Sequence, residues 1–506
     1  MGGLIRKTAA YLGMLPETGY AIPPQISGAV NYLLDSYFAK IDERAARNQR
    51  LVRWIPGDPH AHIRELWLQC ELHTAVTLNR SYPAVFRDLN VWAFSRLFSG
   101  DQAEYRPVPF LDQYEFKDML KSHYAYRLQS EQISIAPGKV VTLPVFGNFF
   151  VEHIGTGAHL FVSADFCFES MGCQISVMAA PGNQAAAEQF FADMASSLVA
   201  NDIYYKQCLS FVRGKLDFLG VKPTAWNDII LKPIFKETIQ QNTVAVLNNM
   251  EKLAKLGMCP NRNCILISPP GMAKTTIFRA ISCDVIGKMS IIWCTGKSIE
   301  RAQEVTMLFE AARLLSPCIV FIEDMDLFGG DRSGYGDSRI LNEFLACLDG
   351  AQANAGVVVM ASTNDIDSMD EALVNRPGRF DVKVEIPLPD AQDRSDMLKS
   401  FLTAFHAFPD KTVSQDTWTT VMNMTQGLTG AYIKELANAT VIRAVADGHC
   451  SPDGRMCTFS SDNLTAAAEQ CMKNYSIGQR AKKHHKLEAE VHVSSDDTLQ
   501  FPEISN

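Results

Sequence analysis

A parallel α/β sheet packed between helices, followed by a helical region and preceded by an α+β domain, is the architecture this 506-residue sequence predicts. Three observations predict it. From Ala225 onward apolar runs alternate with amphipathic stretches, the pattern of a parallel sheet covered on both faces. From Gln132 to Met178 the runs are short, alternating and split by Gly and Pro, as in strands of a different sheet. After Asp390 helical periodicity dominates to about Ile477.

In chain order, residues 1 to about 130 mix Pro-punctuated loops with helix-like stretches, and the spacing of Ile63 to Asn79 predicts a core helix. Runs such as KVVTLPVF and HLFVSADFCF read as strands, and a helix is expected over Gln184 to Leu198. Residues 1–205 therefore form one α+β domain or two, with a boundary near Asn201. Residues 206–388 carry the α/β core, with strands expected at Cys264–Ser268, Ser290–Cys294, Cys318–Glu323, Gly356–Ser362 and Val382–Pro387. Residues 389–478 form a helical subdomain, and the polar tail 479–506 is expected to be disordered.

Composition narrows the function classes. An apolar share of 47% and a charged share of 20% are those of an ordinary globular chain, which excludes a fibrous repeat. The net charge of -9 argues against nonspecific adhesion to nucleic acid, which depends on positive charge. Thirteen cysteines with no secretory signal favour reduced thiols in a cytoplasmic compartment, without disulfides. The pairs Cys259/Cys264 and Cys450/Cys457 lack CxxC spacing and read as buried or loop thiols rather than metal ligands. No apolar run reaches membrane-spanning length, so a chain without a membrane segment is expected. Arg6 stands where N-myristoylation of Gly2 needs Ser or Thr.

Four motifs carry chemistry. The segment SPPGMAKT, Ser268 to Thr275, lies between an apolar strand and an amphipathic helix. It has the form of a P-loop, in which backbone N–H groups cradle phosphates, Lys274 reaches the β and γ phosphates and the Thr275 hydroxyl binds magnesium. Ser268 and Ala273 replace its two outer glycines, and a methyl group at a left-handed position costs about 1 to 2 kcal/mol. The apolar strand CIVFI ends in Glu323, Asp324 and Asp326. With Asp326 kept in register, Glu323 takes the place on the metal side, through water, and Asp324 that of the base. The strand GVVVMAS ends in Thr363 and Asn364, whose amide suits a γ-phosphate or an attacking water. In NRPGRFD, Arg376 and Arg379 suit a triphosphate as arginine fingers. Taken singly, each has a plain alternative: a Pro-Gly turn, an acidic loop, a turn Asn, surface arginines.

Together, PPGxxKT, the apolar strand plus ED, ASTN and LVNRPGRFDVKVEIPLPDAQDR resemble the AAA ATPases over roughly Thr224 to Val445. The resemblance implies an AAA+ parallel sheet with a C-terminal helical lid, using ATP and magnesium. It implies that Pro270, Gly271, Met272, Ala273, Lys274, Thr275 and Thr276 hold nucleotide and that Glu323 and Asp324 are the Walker B pair. Asn364 would be sensor 1, and Arg376 and Arg379 would act on a neighbouring subunit's nucleotide. Asp228 and Ile229 match the segment lining the adenine pocket, and Gly430 and Ala431 the sensor 2 region. The Glu-Asp order is similar to that of the mitochondrial AAA translocase of the Rieske protein. The pore-loop stretch Thr295 to Glu310 has no aromatic before Phe309, which falls at helical spacing with Val305 and Leu308 and so belongs to the core. No HExxH is present, excluding a fused zinc protease of that type. The expectation is a homo-oligomeric, hexamer-like ring that remodels a protein client selected by residues 1–205. The alternatives are a nucleotide-gated scaffold with weak hydrolysis and a nucleic-acid motor, the latter disfavoured by the acidic balance.

Overall fold

The structure, a computed structural model, describes residues 61–99, 105–109, 129–166, 173–259, 262–327, 338–349, 354–367, 369, 371–374, 376, 378–451 and 453–495. The reading of Gly2 and Arg6, the position of Asn375 and the last eleven residues of the tail lie outside them. The chain divides into two compact units. One takes the residues up to Gly220 with 287–292 and 298–316; the other takes Val221–Ile286, Trp293–Lys297 and the residues from Pro317 on. This division falls after the boundary expected near Asn201.

The first unit begins with α1 (Ala61–Leu68), β1 (Val76–Tyr82) and α2 (Arg87–Arg96), followed by β2 (Tyr105–Pro109) and β3 (Gln129–Ala136). It continues with β4 (Lys139–His153), β5 (His159–Asp165), β6 (Cys173–Ala179) and α3 (Gln184–Ala200). Its sheet has the order β1-β6-β5-β4-β2, with β3 also paired to β4, and its neighbouring strands are antiparallel. Alternation aims Cys173, Ile175, Val177 and Ala179 of β6 inward, where Phe190, Phe191 and Met194 of α3 cover them.

The helix expected over Ile63 to Asn79 is corrected by the structure. Gln69, at φ 57°, ends α1, and the stretch that follows turns into the edge strand β1 paired with β6. Val76 and Thr77 are β-branched, and in this short window period 2 and period 3.6 could not be separated. A further hairpin, β7 (Cys208–Val212) and β8 (Lys215–Phe218), was not foreseen. Its signal was the Arg213-Gly214 pair between two apolar runs, both with positive φ as a tight two-residue hairpin requires. In the same unit Ile291 N–H donates to Gln207 O, and Val305, Leu308 and Phe309 are buried, so Phe309 packs in a core as its spacing predicted.

The second unit is the α/β core with its lid. Along the chain come α4 (Pro233–Asn242), β9 (Arg262–Ile267), α5 (Lys274–Val285), β10 (Ser290–Thr295), α6 (Ala302–Leu314), β11 (Cys318–Glu323), α7 (Ser338–Asp349), β12 (Val357–Thr363) and β13 (Val382–Glu385). Of these, β10 and α6 fall partly or wholly in the first unit. All five expected strands form, each within two residues of its predicted ends. The order β13-β9-β12-β11-β10 puts β9 between strands that follow it from opposite sides, a topological switch point. The ladders of β9 with β12 and β13, and of β11 with β12, are parallel. β11 and β12 are buried almost throughout, as strands covered on both faces must be.

The lid comprises α8 (Ala391–Ala404), β14 (Ala407–Pro409), α9 (Gln415–Met424), α10 (Gly430–Ala446), β15 (Cys457–Phe459) and α11 (Ser461–Ser495). Asp390 and Ser414 cap α8 and α9 by accepting from the N–H groups of Asp393 and Thr417. Leu398, Val421, Ile433, Leu436 and Leu464 share its core. The backbone of α11 continues through 479–495, the first part of the tail expected to be disordered. Beyond Gly478 that stretch holds neither Gly nor Pro, and ten of its 17 residues are Ala, Lys, Glu, Gln, Arg or Leu, all good helix formers. Among the described residues no helix is long and apolar enough to cross a membrane.

Candidate active site

The C-terminal end of β9 delivers the chain into the loop Ser268 to Ala273, and α5 starts at Lys274. The loop turns sharply because two residues take left-handed conformations. Gly271 has φ 83°, and Ala273 has φ 63° and ψ 20°, so the methyl group does occupy the strained position. Gly271 cannot be replaced freely: a Cβ there would lie 2.7 Å from Ala431 Cβ and 3.0 Å from Thr429 Oγ1. Its carbonyl accepts from Ala431 N–H at 3.0 Å, so the first turn of α10 rests on the loop.

Lys274 is buried, and its Nζ donates to Ser268 O (2.7 Å), Ser268 Oγ (3.2 Å), Pro269 O (3.3 Å) and Asn364 Oδ1 (2.8 Å). The amide of Asn364 in turn donates to Asp324 Oδ1 at 3.0 Å, which orders the three side chains as Lys274, Asn364, Asp324. Burial pushes the Lys274 ammonium below its ordinary pKa, and the carboxylates of Asp324, Asp326 and Glu323 oppose that shift. Asp324 itself has φ 48°, a conformation Asp tolerates better than most residues, and its N–H donates to Ser362 Oγ. Asp326 plays a different part: its Oδ1 accepts from Thr363 Oγ1 and from Asn364 N–H, fixing the tip of β12.

Lys274, Asp324 and Asn364 line one cleft of about 680 Å³, the size of a nucleotide-class site. Pro270, Gly271, Met272, Ala273, Lys274, Thr275 and Thr276 line it, with Asp228, Ile229, Asp324, Asn364, Gly430 and Ala431. The Asp228 segment is held by its own chemistry, since Asp228 caps Ala225 N–H and Trp226 Nε1 donates to Asp284 Oδ2 of α5. Glu323 sits one residue behind the cleft wall, with a buried Oε1 that has no hydrogen-bond partner. Such an orphaned carboxylate oxygen is what a hydrated cation would satisfy. Thr275 and Glu323 therefore fit magnesium, held otherwise by phosphate and water as this ion usually is. Among the described residues no three His, Cys, Asp or Glu side chains gather as ligands.

Neither arginine lines this cleft. Arg379 is buried and bidentate to Asp349, its Nε donating to Oδ1 at 3.0 Å, while Arg376 is mostly exposed and lies 3.5 Å from the same carboxylate. The hydrogen bond from Arg379 holds the Asp349 carboxyl below the usual range. Sequence reasoning missed Lys222, Arg279 and Lys434 on the cleft wall, and Thr429, whose buried Oγ1 has no partner. Lys434 had a readable signal: it lies one turn beyond Gly430 on the same helix face.

Comparison with known proteins identifies one domain of the chain. Residues 264–388 match the model of the ATPase family associated with various cellular activities (AAA). The chain carries an AAA domain. Around that AAA domain it is similar to the ATP-dependent zinc metalloprotease FtsH 3 of Sorangium cellulosum, 36% identical over 241 residues, 45% of this chain and 39% of that protein. The ATP-dependent zinc metalloprotease YME1L1 of Mus musculus is 30% identical over 46% of this chain and 32% of its own length. FtsH of Mycoplasma genitalium is 35% identical over 51% and 38%. The chain thus spans less than two fifths of the length of each of these relatives.

Proposed function

We propose that the chain is a Mg-ATP-dependent ATPase that assembles as a ring and remodels a protein client. The observation that carries this reading is the linked series Lys274, Asn364, Asp324 in the cleft, with the unpartnered Oε1 of Glu323 behind it. Lys274 would exchange its carbonyl partners for the β and γ phosphates, and Thr275 with Glu323 would hold magnesium. That ion would supply charge neutralisation to the transferring phosphate. Asp324, released from the Asn364 amide, accepts the proton of the attacking water, and Asn364 orients that water. Arg376 is exposed on its own subunit, which supports action on a neighbour's nucleotide. Client selection by residues 1–205 is supported by their separate core and by a family match confined to residues 264–388.

Steady-state hydrolysis tests the reading: turnover no higher than that of Lys274→Ala would overturn it. One observation favours a second reading, a scaffold that binds ATP and hydrolyses it weakly: the left-handed alanine in the phosphate loop. ATP-dependent assembly without turnover would support that one.

A further inference from the structure

Cys450 and Cys457 lie directly opposite each other on an antiparallel bridge in the lid. The bonds flanking the pair define its type. Ser451 N–H donates to Met456 O at 2.8 Å and Thr458 N–H to His449 O at 2.9 Å, so the two cysteines exchange no backbone bond themselves. In such a non-hydrogen-bonded pair the Cα atoms are about 4.5 Å apart and the side chains leave on the same face. A disulfide accepts Cα separations of about 4.4 to 6.8 Å, so this backbone already satisfies it. The two thiols also differ in access: Cys450 is exposed, and Cys457 is 5% exposed. Burial raises the Cys457 thiol above its ordinary pKa, and the adjacent Cys450 thiol adds to that shift.

We infer that Cys450 and Cys457 form a reversible cross-strand disulfide, made by exchange with a low-molecular-weight disulfide such as oxidised glutathione. The exposed Cys450 thiolate attacks one sulfur of the reagent and releases one glutathione thiolate. Cys457 then gives its proton to water and attacks Cys450 Sγ, releasing the second. Two protein thiols are oxidised, and one small disulfide is reduced to two thiols. Forming the bond sacrifices only weak thiol hydrogen bonds, that between Cys450 and Cys457 and that from Cys457 Sγ to Thr458 O at 3.7 Å. The expectation that the thiols stay reduced rested on their odd count, their scatter and the lack of a secretory signal, none of which says which residues face each other across a ladder.

The bond closes a short loop between the end of α10 and the start of α11, so it removes entropy from the unfolded lid. The test treats the reduced full chain with oxidised glutathione, followed by tryptic mapping. Arg455 lies between the two cysteines, so trypsin leaves peptides 444–455 and 456–473 joined only if the disulfide exists. The expected result is that linked pair, lighter by two hydrogens, with fragmentation placing the bond on Cys457 rather than Cys471. It is absent in Cys450→Ser, an exposed and structurally mild change. The thermal midpoint of the oxidised protein should rise by about 5 °C, with no rise in the variant. Stable glutathione on Cys450 with Cys457 still open to alkylation after denaturation would overturn the inference, as would a bond from Cys450 to any other cysteine.

Discussion

The methyl group of Ala273 sits in the phosphate loop at a left-handed φ of 63°. Replacing it by glycine removes about 1 to 2 kcal/mol of strain and adds unfolded-state entropy worth about 0.5 to 1 kcal/mol. Ala273→Gly should therefore raise the thermal midpoint by about 2 °C and leave ATP affinity equal or higher. Scanning calorimetry with titration reads both, and weaker binding would contradict this account of the loop. Lys274 offers a second test at this scale. Its folded pKa is depressed, so between that value and the ordinary 10.5 the free protein holds fewer protons here than the unfolded chain, and folding stability rises with pH through that window. Phosphate contacts favour the charged form, so ATP binding must take up protons there and weaken as pH rises. Calorimetry at alkaline pH in buffers of different ionisation enthalpy should show this uptake, and Lys274→Arg, always charged, should abolish it.

Two elements meet at Gly271, where α10 rests on the loop through Ala431. Gly271→Ala combines left-handed strain with a 2.7 Å overlap, so ATP affinity should fall at least about tenfold. Ala431→Gly removes the opposing methyl group, and the double variant should recover part of the loss, leaving the backbone strain alone. Simple additivity in titration calorimetry would show that the contact does not matter. This contact also marks what the sequence could reveal. The loop, the acidic strand end and Asn364 were legible because each is a contiguous string whose chemistry is local, and the five core strands because burial on both faces makes them continuous apolar runs. Lys222 reaches the cleft only through tertiary packing, which no string displays, whereas the helical spacing of Lys434 from Gly430 was a local signal that was passed over. The stretch after Gln69 was misread for a related reason: its state is set by pairing with a strand about a hundred residues away. The hairpin at Arg213-Gly214, by contrast, had a local turn signal that was passed over.

For the molecule as a whole, the two arginines are not equivalent. Arg379 is buried against Asp349, whereas Arg376 is largely exposed. Arg379→Ala removes the bidentate partner of a carboxylate that keeps Arg376 beside it, and should cost roughly 1.5 to 3 kcal/mol of stability as well as activity. Arg376→Ala should leave the melting temperature within about 1 °C and nucleotide binding intact while depressing hydrolysis about a hundredfold or more. If Arg376 acts across a subunit boundary, mixing Arg376→Ala with Lys274→Ala should restore part of the turnover. A strictly proportional loss in mixed samples would place its action within one chain.

The hydrogen bond from Ala431 to Gly271 gives α10 a pivot. That helix has 17 residues and is thus about 25 Å long. A tilt of about 10° at the phosphate loop, too small to break its packing outright, would carry the far end of such a rod through about 4 Å. The far end is where the Cys450 hairpin begins. Such a tilt would gear the lid: a displacement smaller than a bond length beside the loop would become a stroke wider than a methyl group at its rim.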